Sequence, residues 1–419
     1  MKPEPFADYL ARRSAAGPWA LDLHAGEFIP GAIVIPALAE FSSVPLLLDS
    51  LAADSTLPES GLAVIFVVNN RADAALEERE DNLATLELLK IARKKLPFPI
   101  GIVDAASPGL ELPAKDGGVG LARKLGHDLL LPFLDFSADD PVLISLDADT
   151  LVQPGYSGAI VNHFRTAAAG GAVIPFEHRS GAAMAENRAI ERYELFLRCY
   201  VAGLAHAGSP YAFQTVGSAM ACRASAYLKC GGMNRRRAGE DFYFLQSLAK
   251  TSGVGEVRGT RVFPSPRRSS RVPFGTGRAM GMLLDREPEA IRFYRPACYQ
   301  LLKSWLELAQ AACAERCREL YEKGEALSPS LGAFLKGQNF DCAWKGFVEQ
   351  HATEERLQSA FHGWFDAFRT MKLFHYLAER EAPRAEPDEV LGAFPAAWGE
   401  PGLSMGERLM FLRGSRISA

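Results

Sequence analysis

The feature that most constrains this chain is a series of short apolar runs separated by helix-like stretches. Gly31-Ala-Ile-Val-Ile35, Leu62–Val68, Phe98–Val103 and Pro141–Leu146 are such runs. Continuous apolar runs of this length, without alternating polar residues, read as strands buried on both faces. Pro36 is expected to end the first of them. Between the runs, Val44–Ala53, Ala74–Lys95 and Leu121–Phe133 carry helix-like patterns. Gly171–Phe176 reads as a further strand, and Ala183–Leu204 as a long helix. Strands alternating with helices predict an α/β fold with a largely parallel sheet.

From about Pro288 the pattern changes. Ala290–Tyr321, Leu331–Phe347 and Glu354–Glu381 are helix-like. Leu301, Trp305 and Leu308, and later Phe361, Trp364 and Phe368, recur at helical spacing and predict packed helices. The expected organisation is an N-terminal arm over 1–30 with a short helix near Phe6–Arg13, an α/β domain over 31–280, and a helical domain over 285–419. At about 150 residues per domain, 419 residues agree with two or three domains.

Composition removes several classes of function. Lys plus Arg number 46 against 50 Asp plus Glu, a net charge of −4, so no overall basic field for nucleic acid exists. With 48% apolar and 23% charged residues, wholesale disorder is excluded. No apolar run reaches the ~20 residues of a membrane span. Met1–Ala20 carries Glu4, Asp8, Arg12 and Arg13 and lacks the apolar core of a secretory signal. The seven cysteines contain no CxxC, which argues against a zinc site or a disulfide framework and for a reducing cytoplasm. Cys313 and Cys317, four apart, are expected as buried thiols on one helix face.

Two motifs carry chemistry. Leu146-Asp147-Ala148-Asp149-Thr150 places two acids just after a buried strand, where open α/β sheets bind ligands. Two convergent carboxylates suit a hard divalent cation that also bridges phosphate oxygens; the alternative is a polar turn capped by backbone amides. Arg237-Ala-Gly-Glu240-Asp241 precedes an apolar helical run. Acids there serve as helix caps, or as a general base for a hydroxyl acceptor. Downstream, Arg267, Arg268, Arg271 and Arg278 interleave with Ser, Pro and Gly, and this segment reads as a loop closing over a diphosphate or an anionic acceptor. Arg235-Arg236-Arg237 reads equally as a solvated charged face or an acceptor-anion site. His178 is a candidate acceptor contact, or a structural histidine. A dinucleotide fingerprint and a phosphate loop are both absent.

Taken in order, these segments resemble the nucleotide-sugar-dependent glycosyltransferases of the GT-A fold, specifically the family 2-like group, over roughly residues 31–280. Ile33-Val-Ile-Pro-Ala-Leu-Ala-Glu40 resembles the family's opening strand, Pro and Asn-Glu segment, with Ala39 in place of Asn. Phe66-Val-Val-Asn-Asn70 stands where paired Asp residues are common. Gly118-Val-Gly-Leu-Ala-Arg123-Lys124 resembles Gly-x-Ala-Arg-Asn, and Asp147–Asp149 matches the DxD motif. Phe213–Arg223, with Gly217 and Ser218, resembles the acceptor-side strand. Gly231-Gly232-Met-Asn and Glu240-Asp241 resemble the Gly-Gly-Phe and acidic-pair motifs.

The resemblance implies a GT-A domain with a mostly parallel central sheet flanked by helices, followed by an α-helical C-terminal domain. It implies that Pro36, Glu40, Asn70, Arg123, Asp147, Arg267 and Arg271 bind the nucleotide sugar, of UDP or GDP type. Asp149 and Asp147 would hold Mn2+ or Mg2+. Asp241 would be the catalytic base and Glu240 would orient a hydroxyl acceptor, with inversion at the sugar carbon. No His lies between His206 and His351, where family members supply a further metal ligand, and the Gln-x-x-Arg-Trp motif of processive polymerases is absent. Three alternatives stay open. They are a retaining GT-A enzyme acting on a small phosphorylated acceptor, a nucleotidyltransferase, and a non-catalytic GT-A-like scaffold.

Overall fold

The computed structural model describes residues 5–15, 17–24, 28–269, 275–285, 291–392 and 402–414. The chain divides into two compact units, Met1–Gly181 with Thr215–Arg278, and Ala182–Gln214 with Ala279–Ala419.

The first unit is built on strands β1 (Leu21–Leu23), β2 (Gly31–Ala37), β3 (Ala63–Asn69), β4 (Ile100–Ala105), β5 (Val142–Ser145), β6 (Leu151–Val152), β7 (Gly171–Val173), β8 (Met220–Arg223), β9 (Val254–Glu256) and β10 (Val262–Phe263). Eight of them form one sheet in the order β1-β4-β3-β2-β5-β8-β7-β9, and β10 pairs with β6 separately. The β4-β3-β2-β5 block is parallel; β1 and β8 run antiparallel to their neighbours. Every residue of β2 and β3 is buried, as the continuous apolar runs predict. This is the α/β architecture, with a mostly parallel central sheet, expected of a GT-A domain.

The strand order places the site. From β2 the chain adds β3 and then β4 on one side, and returns to add β5 on the other. Connections therefore diverge at the carboxyl ends of β2 and β5, leaving a crevice at the switch point. Glu40 follows β2, and Asp147 and Asp149 follow β5. Pro36 does not end its strand. It lies inside β2, buried and paired in register with Val67. Pairing of β2 with β5 stops at Val34 opposite Ser145, so the N–H that Pro36 lacks falls beyond that ladder.

The N-terminal helix Pro5–Arg12 is anchored by a buried polar cluster. The Tyr9 and Tyr227 hydroxyls donate to Asp128 Oδ1 at 2.7 and 2.8 Å, and Lys124 Nζ lies 3.0 Å from Asp128 Oδ2. Lys124, the residue at the family's Asn position, is thus a structural ion-pair partner.

In the second unit, helix Met184–His206 contributes Leu195, Cys199, Ala202 and Leu204 to the same apolar cluster as Trp305, Trp344, Phe361 and Phe374. That shared cluster groups residues 182–214 with the C-terminal helices. Each of the three long helix-like stretches is interrupted. Pro296–Glu315 ends at Arg316, in the left-handed region at φ 53°, before Leu320–Leu327 begins. Asn339, at φ 54°, separates Pro329–Gly337 from Phe340–Gln350. Asp366 caps Ala367–Ala378 by accepting from Arg369 N, and so closes off Glu354–Trp364. Cys317 therefore lies past a helix end, with Sγ directed to Glu319, and does not continue the face of buried Cys313. All seven cysteines are free thiols. No helix among the described residues is long and apolar enough to cross a membrane.

Candidate active site

The centre of the crevice is Arg123, on the helix Val119–Leu130. Its Nη2 donates to Asp147 Oδ1 at 2.5 Å, its Nε to Glu240 Oε1 at 3.1 Å, and its Nη1 to the Gly217 carbonyl at 2.8 Å. The side chain is 2% exposed, whereas Asp147 is 35% and Asp149 21% exposed. A ligand entering the crevice meets the carboxylates first. Arg123, which the resemblance implied at the nucleotide, has all three nitrogens engaged within the protein and ties Asp147 to Glu240.

The two DxD acids flank buried Ala148 in a tight turn after β5, closed by the Thr150 N–H donating to the Asp147 carbonyl at 3.1 Å. The short β6–β10 pair then brings the segment after Phe263 alongside Asp149. Arg267 Nε lies 2.8 Å from Asp149 Oδ2, and its Nη2 is paired with Glu40 Oε1. Arg179, which the sequence reading did not single out, donates from Nη2 to the Asp149 carbonyl at 2.9 Å. Its backbone N–H bonds Pro264 O at 3.0 Å. Position after a strand end, opposite a second strand's DxD, was the only signal for it.

Glu240 and Asp241 open the helix Glu240–Ser252. Asp241 Oδ1 accepts from the Phe242 N–H at 2.7 Å. Burial pushes its carboxyl up to about 7, and the neighbouring Glu240 charge adds to the shift. Burial also raises Glu240, against the pull of Arg123. Asp149 is pushed up to about 6 by burial, with Arg267 opposing. Burial acts to lower the Arg123 and Arg267 guanidiniums, but their acidic partners hold both above their ordinary range.

Two glycines are required by close approach. A Cβ on Gly120 would stand 2.2 Å from Arg236 O, and one on Gly217 would stand 2.6 Å from Arg123 Nη2. The first lets the helix start pack against the 234–237 segment. The second lets Arg123 lie flat on the 215–219 loop.

Other expected residues are placed differently. Asn70 is buried, its Oδ1 accepting from Asn82 at 3.0 Å and its Nδ2 donating to Arg71 O at 3.2 Å. Asn82 also accepts from Ala39 N, which sits at φ 50°, so one helix asparagine fixes the loop after β2 and the end of β3. His178 is buried against Thr276 Oγ1 at 3.1 Å rather than open to an acceptor. Thr276 begins a helix, Thr276–Asp285, so the arginine-rich segment is not all loop. Arg271 lies outside the described residues.

The donor set fits a divalent cation only in part. Asp147 and Asp149 each have one oxygen engaged by an arginine, leaving one oxygen apiece toward the crevice. Two carboxylate oxygens completed by diphosphate oxygens and water suit Mg2+ or Mn2+. With all groups ionised, the carboxylates of Glu40, Asp147, Asp149, Glu240 and Asp241 against the guanidiniums of Arg123, Arg179 and Arg267 leave 3 − 5 = −2, the charge one such ion balances. Among the described residues, no group of three or more His, Cys, Asp or Glu is placed to hold a metal.

No family model matches this chain, and neither does any curated protein. Among solved structures, it is similar to the 1–349 fragment of S. aureus TarS, at 10% identity over 81% of this chain and 91% of that one, with a TM-score of 0.39. The same fragment in complex with UDP-GlcNAc aligns at 10% identity, with equal coverage and a TM-score of 0.41. The mannosyltransferase PcManGT from Pyrobaculum calidifontis, in complex with GDP-Man and Mn2+, aligns at 13% identity over 87% of this chain and 95% of that one, with a TM-score of 0.37. At such identities none of them assigns a donor or an acceptor to this chain.

Proposed function

We propose that the chain is a glycosyltransferase that moves a sugar from a UDP- or GDP-type nucleotide sugar to a hydroxyl acceptor, with inversion and without processivity. One observation carries this reading. Arg123 ties Asp147, on the donor side of the crevice, to Glu240, beside Asp241 on the other side. A single buried guanidinium thus fixes the distance between a diphosphate-facing acid and a candidate base.

The chemistry follows from charge. Asp241 takes the proton from the attacking hydroxyl as its oxygen bonds to the sugar carbon. The bond from that carbon to the diphosphate breaks, and the nucleoside diphosphate leaves with the electron pair. Arg267, beside Asp149 and Glu40, faces the negative charge that develops there. Glu240 orients the acceptor, and Arg123 keeps Glu240 and Asp147 in register. Asp147 and Asp149 would hold Mn2+ or Mg2+. The ion would supply further charge stabilisation to the leaving diphosphate. Raised to about 7, Asp241 is part ionised near neutral pH and more basic there than an ordinary carboxylate.

Titration calorimetry with UDP and GDP tests the reading. Binding is expected to need Mn2+ or Mg2+ and to weaken in Asp149→Ala. Absence of nucleotide binding under every metal condition would overturn it. Release of pyrophosphate instead of a nucleoside diphosphate would make the enzyme a nucleotidyltransferase. Retention at the sugar carbon would remove Asp241 as inverting base.

A further inference from the structure

The segment Asn234-Arg235-Arg236-Arg237-Ala238-Gly239 leads directly into the two acids of the site. It is pinned at both ends. Asn234 Nδ2 donates to Glu240 O at 2.8 Å, and the Arg236 N–H donates to Asn234 Oδ1 at 3.1 Å. It also rests on the first turn of the Arg123 helix. Gly120 has no room for a side chain, since a Cβ there would stand 2.2 Å from Arg236 O, and Gly118 lies close to Arg237, whose Cα would be 3.1 Å from such an atom. That helix follows β4 and begins at the carboxyl edge of the parallel strands, the edge that carries Asp147 and Glu40. The segment is therefore a rim of the crevice.

All three arginines are exposed. Among the described residues, no carboxylate pairs with Arg235, Arg236 or Arg237. Glu240 is buried, with Arg123 as its partner. The Arg236 guanidinium carbon lies over the Tyr243 ring, 3.8 Å from its centroid. A guanidinium held on an aromatic face keeps its N–H groups available, and their fork matches two oxygens of a carboxylate or phosphate. Three exposed cations without a carboxylate partner, on a pinned backbone that runs into Glu240 and Asp241, make a site for an anion. In the proposed reading the donor diphosphate is faced by Arg267, which pairs with Asp149.

We propose that the acceptor carries an oxyanion next to its reactive hydroxyl, and that Arg235, Arg236 and Arg237 bind it. This rests on the glycosyltransferase reading and adds the acceptor's class, a phosphate- or carboxylate-bearing polyol. The attraction to the rim offsets the repulsion such a molecule meets from Glu240 and Asp241, and it sets the hydroxyl toward Asp241.

The test uses the full chain saturated with whichever of UDP or GDP binds, so that the diphosphate position is filled. Glycerol, glycerol 1-phosphate and glycerate are titrated as probes. At least one anionic probe is expected to bind about tenfold or more tighter than glycerol. Preference for glycerol 1-phosphate assigns a phosphate, and preference for glycerate a carboxylate. The triple variant Arg235→Gln, Arg236→Gln, Arg237→Gln is expected to lose that preference, and the triple Lys variant to regain part of it. Nucleotide affinity, measured on each variant, reports whether the crevice is still formed. Equal binding of all three probes, no binding of any, or an undiminished preference in the Gln variant would overturn the proposal. Failure of UDP and GDP to bind the unmodified chain would instead remove the underlying reading.

Discussion

Gly217 and Arg123 are in contact through backbone on one side and guanidinium on the other. Nη1 donates to the Gly217 carbonyl at 2.8 Å, and a Cβ at Gly217 would stand 2.6 Å from Nη2 and 3.4 Å from Asp241 Oδ2. Gly217→Ala therefore displaces Arg123 and, with it, Asp147 and Glu240. Transfer is expected to fall by roughly 10²-fold, the scale of a 1 Å misplacement. Steady-state kinetics should place most of the loss in kcat. Wild-type kcat in this variant would show that Arg123 does not set the geometry.

The Asp241 carboxyl, raised by burial to about 7, gives two pH effects. A base must be ionised, so transfer should rise with pH through about 7 and level off above it. Stability runs the other way. The folded state holds this proton to about 7 while the unfolded chain releases it near 3.8, so folding is disfavoured as pH rises across that window. Asp241→Asn should abolish transfer and raise the melting temperature more at pH 8 than at pH 5. An equal change at both pH values would mean that Asp241 is not strained by ionisation.

Arg267 is the counter-ion shared by Glu40 and Asp149. Arg267→Gln removes a charge from the diphosphate-facing side, and nucleotide affinity is expected to drop about tenfold or more, the range of one hydrogen bond to a charged group. Arg267→Lys should recover little, because a single ammonium does not reproduce a planar fork joining two acids. Calorimetric titration of both variants checks this.

Asp128 and Lys124 form a buried pair that also receives the Tyr9 and Tyr227 hydroxyls and the Ala15 N–H. Asp128→Ala leaves the lysine without its counter-ion in a desolvated site. A loss of about 3–5 kcal/mol is expected in urea unfolding. Pairing it with Lys124→Met should restore part of that loss, since removing both charges ends the imbalance.

The sequence by itself determined the elements that local patterning controls. Apolar runs became β2, β3 and β5, and the two acids lie in the tight turn that follows β5. The glycine before Glu240-Asp241 marked a helix start correctly. The helix break at Arg316 was not legible, because arginine has no preference of its own for the left-handed region; Asn339 does have one, and it marks the other break. Pro36 misled for a related reason. Whether a proline ends a strand depends on whether its missing N–H faces a neighbouring strand, and only the sheet order decides that.

The site divides along the same line. The two acidic motifs and the arginine-rich segment named Asp147, Asp149, Glu240, Asp241 and Arg267 as candidates, and the family resemblance added Glu40. Only the tertiary structure decided that Arg123 is buried among the acids, that Asn70 is spent on Asn82, and that Arg179 stands behind Asp149. Those facts depend on which side chains meet across sequence separations of 12 to 117 residues. A sequence records the charge of each partner, but the low-dielectric contact that gives the charge its effect exists only once the sheet has folded and brought the partners together.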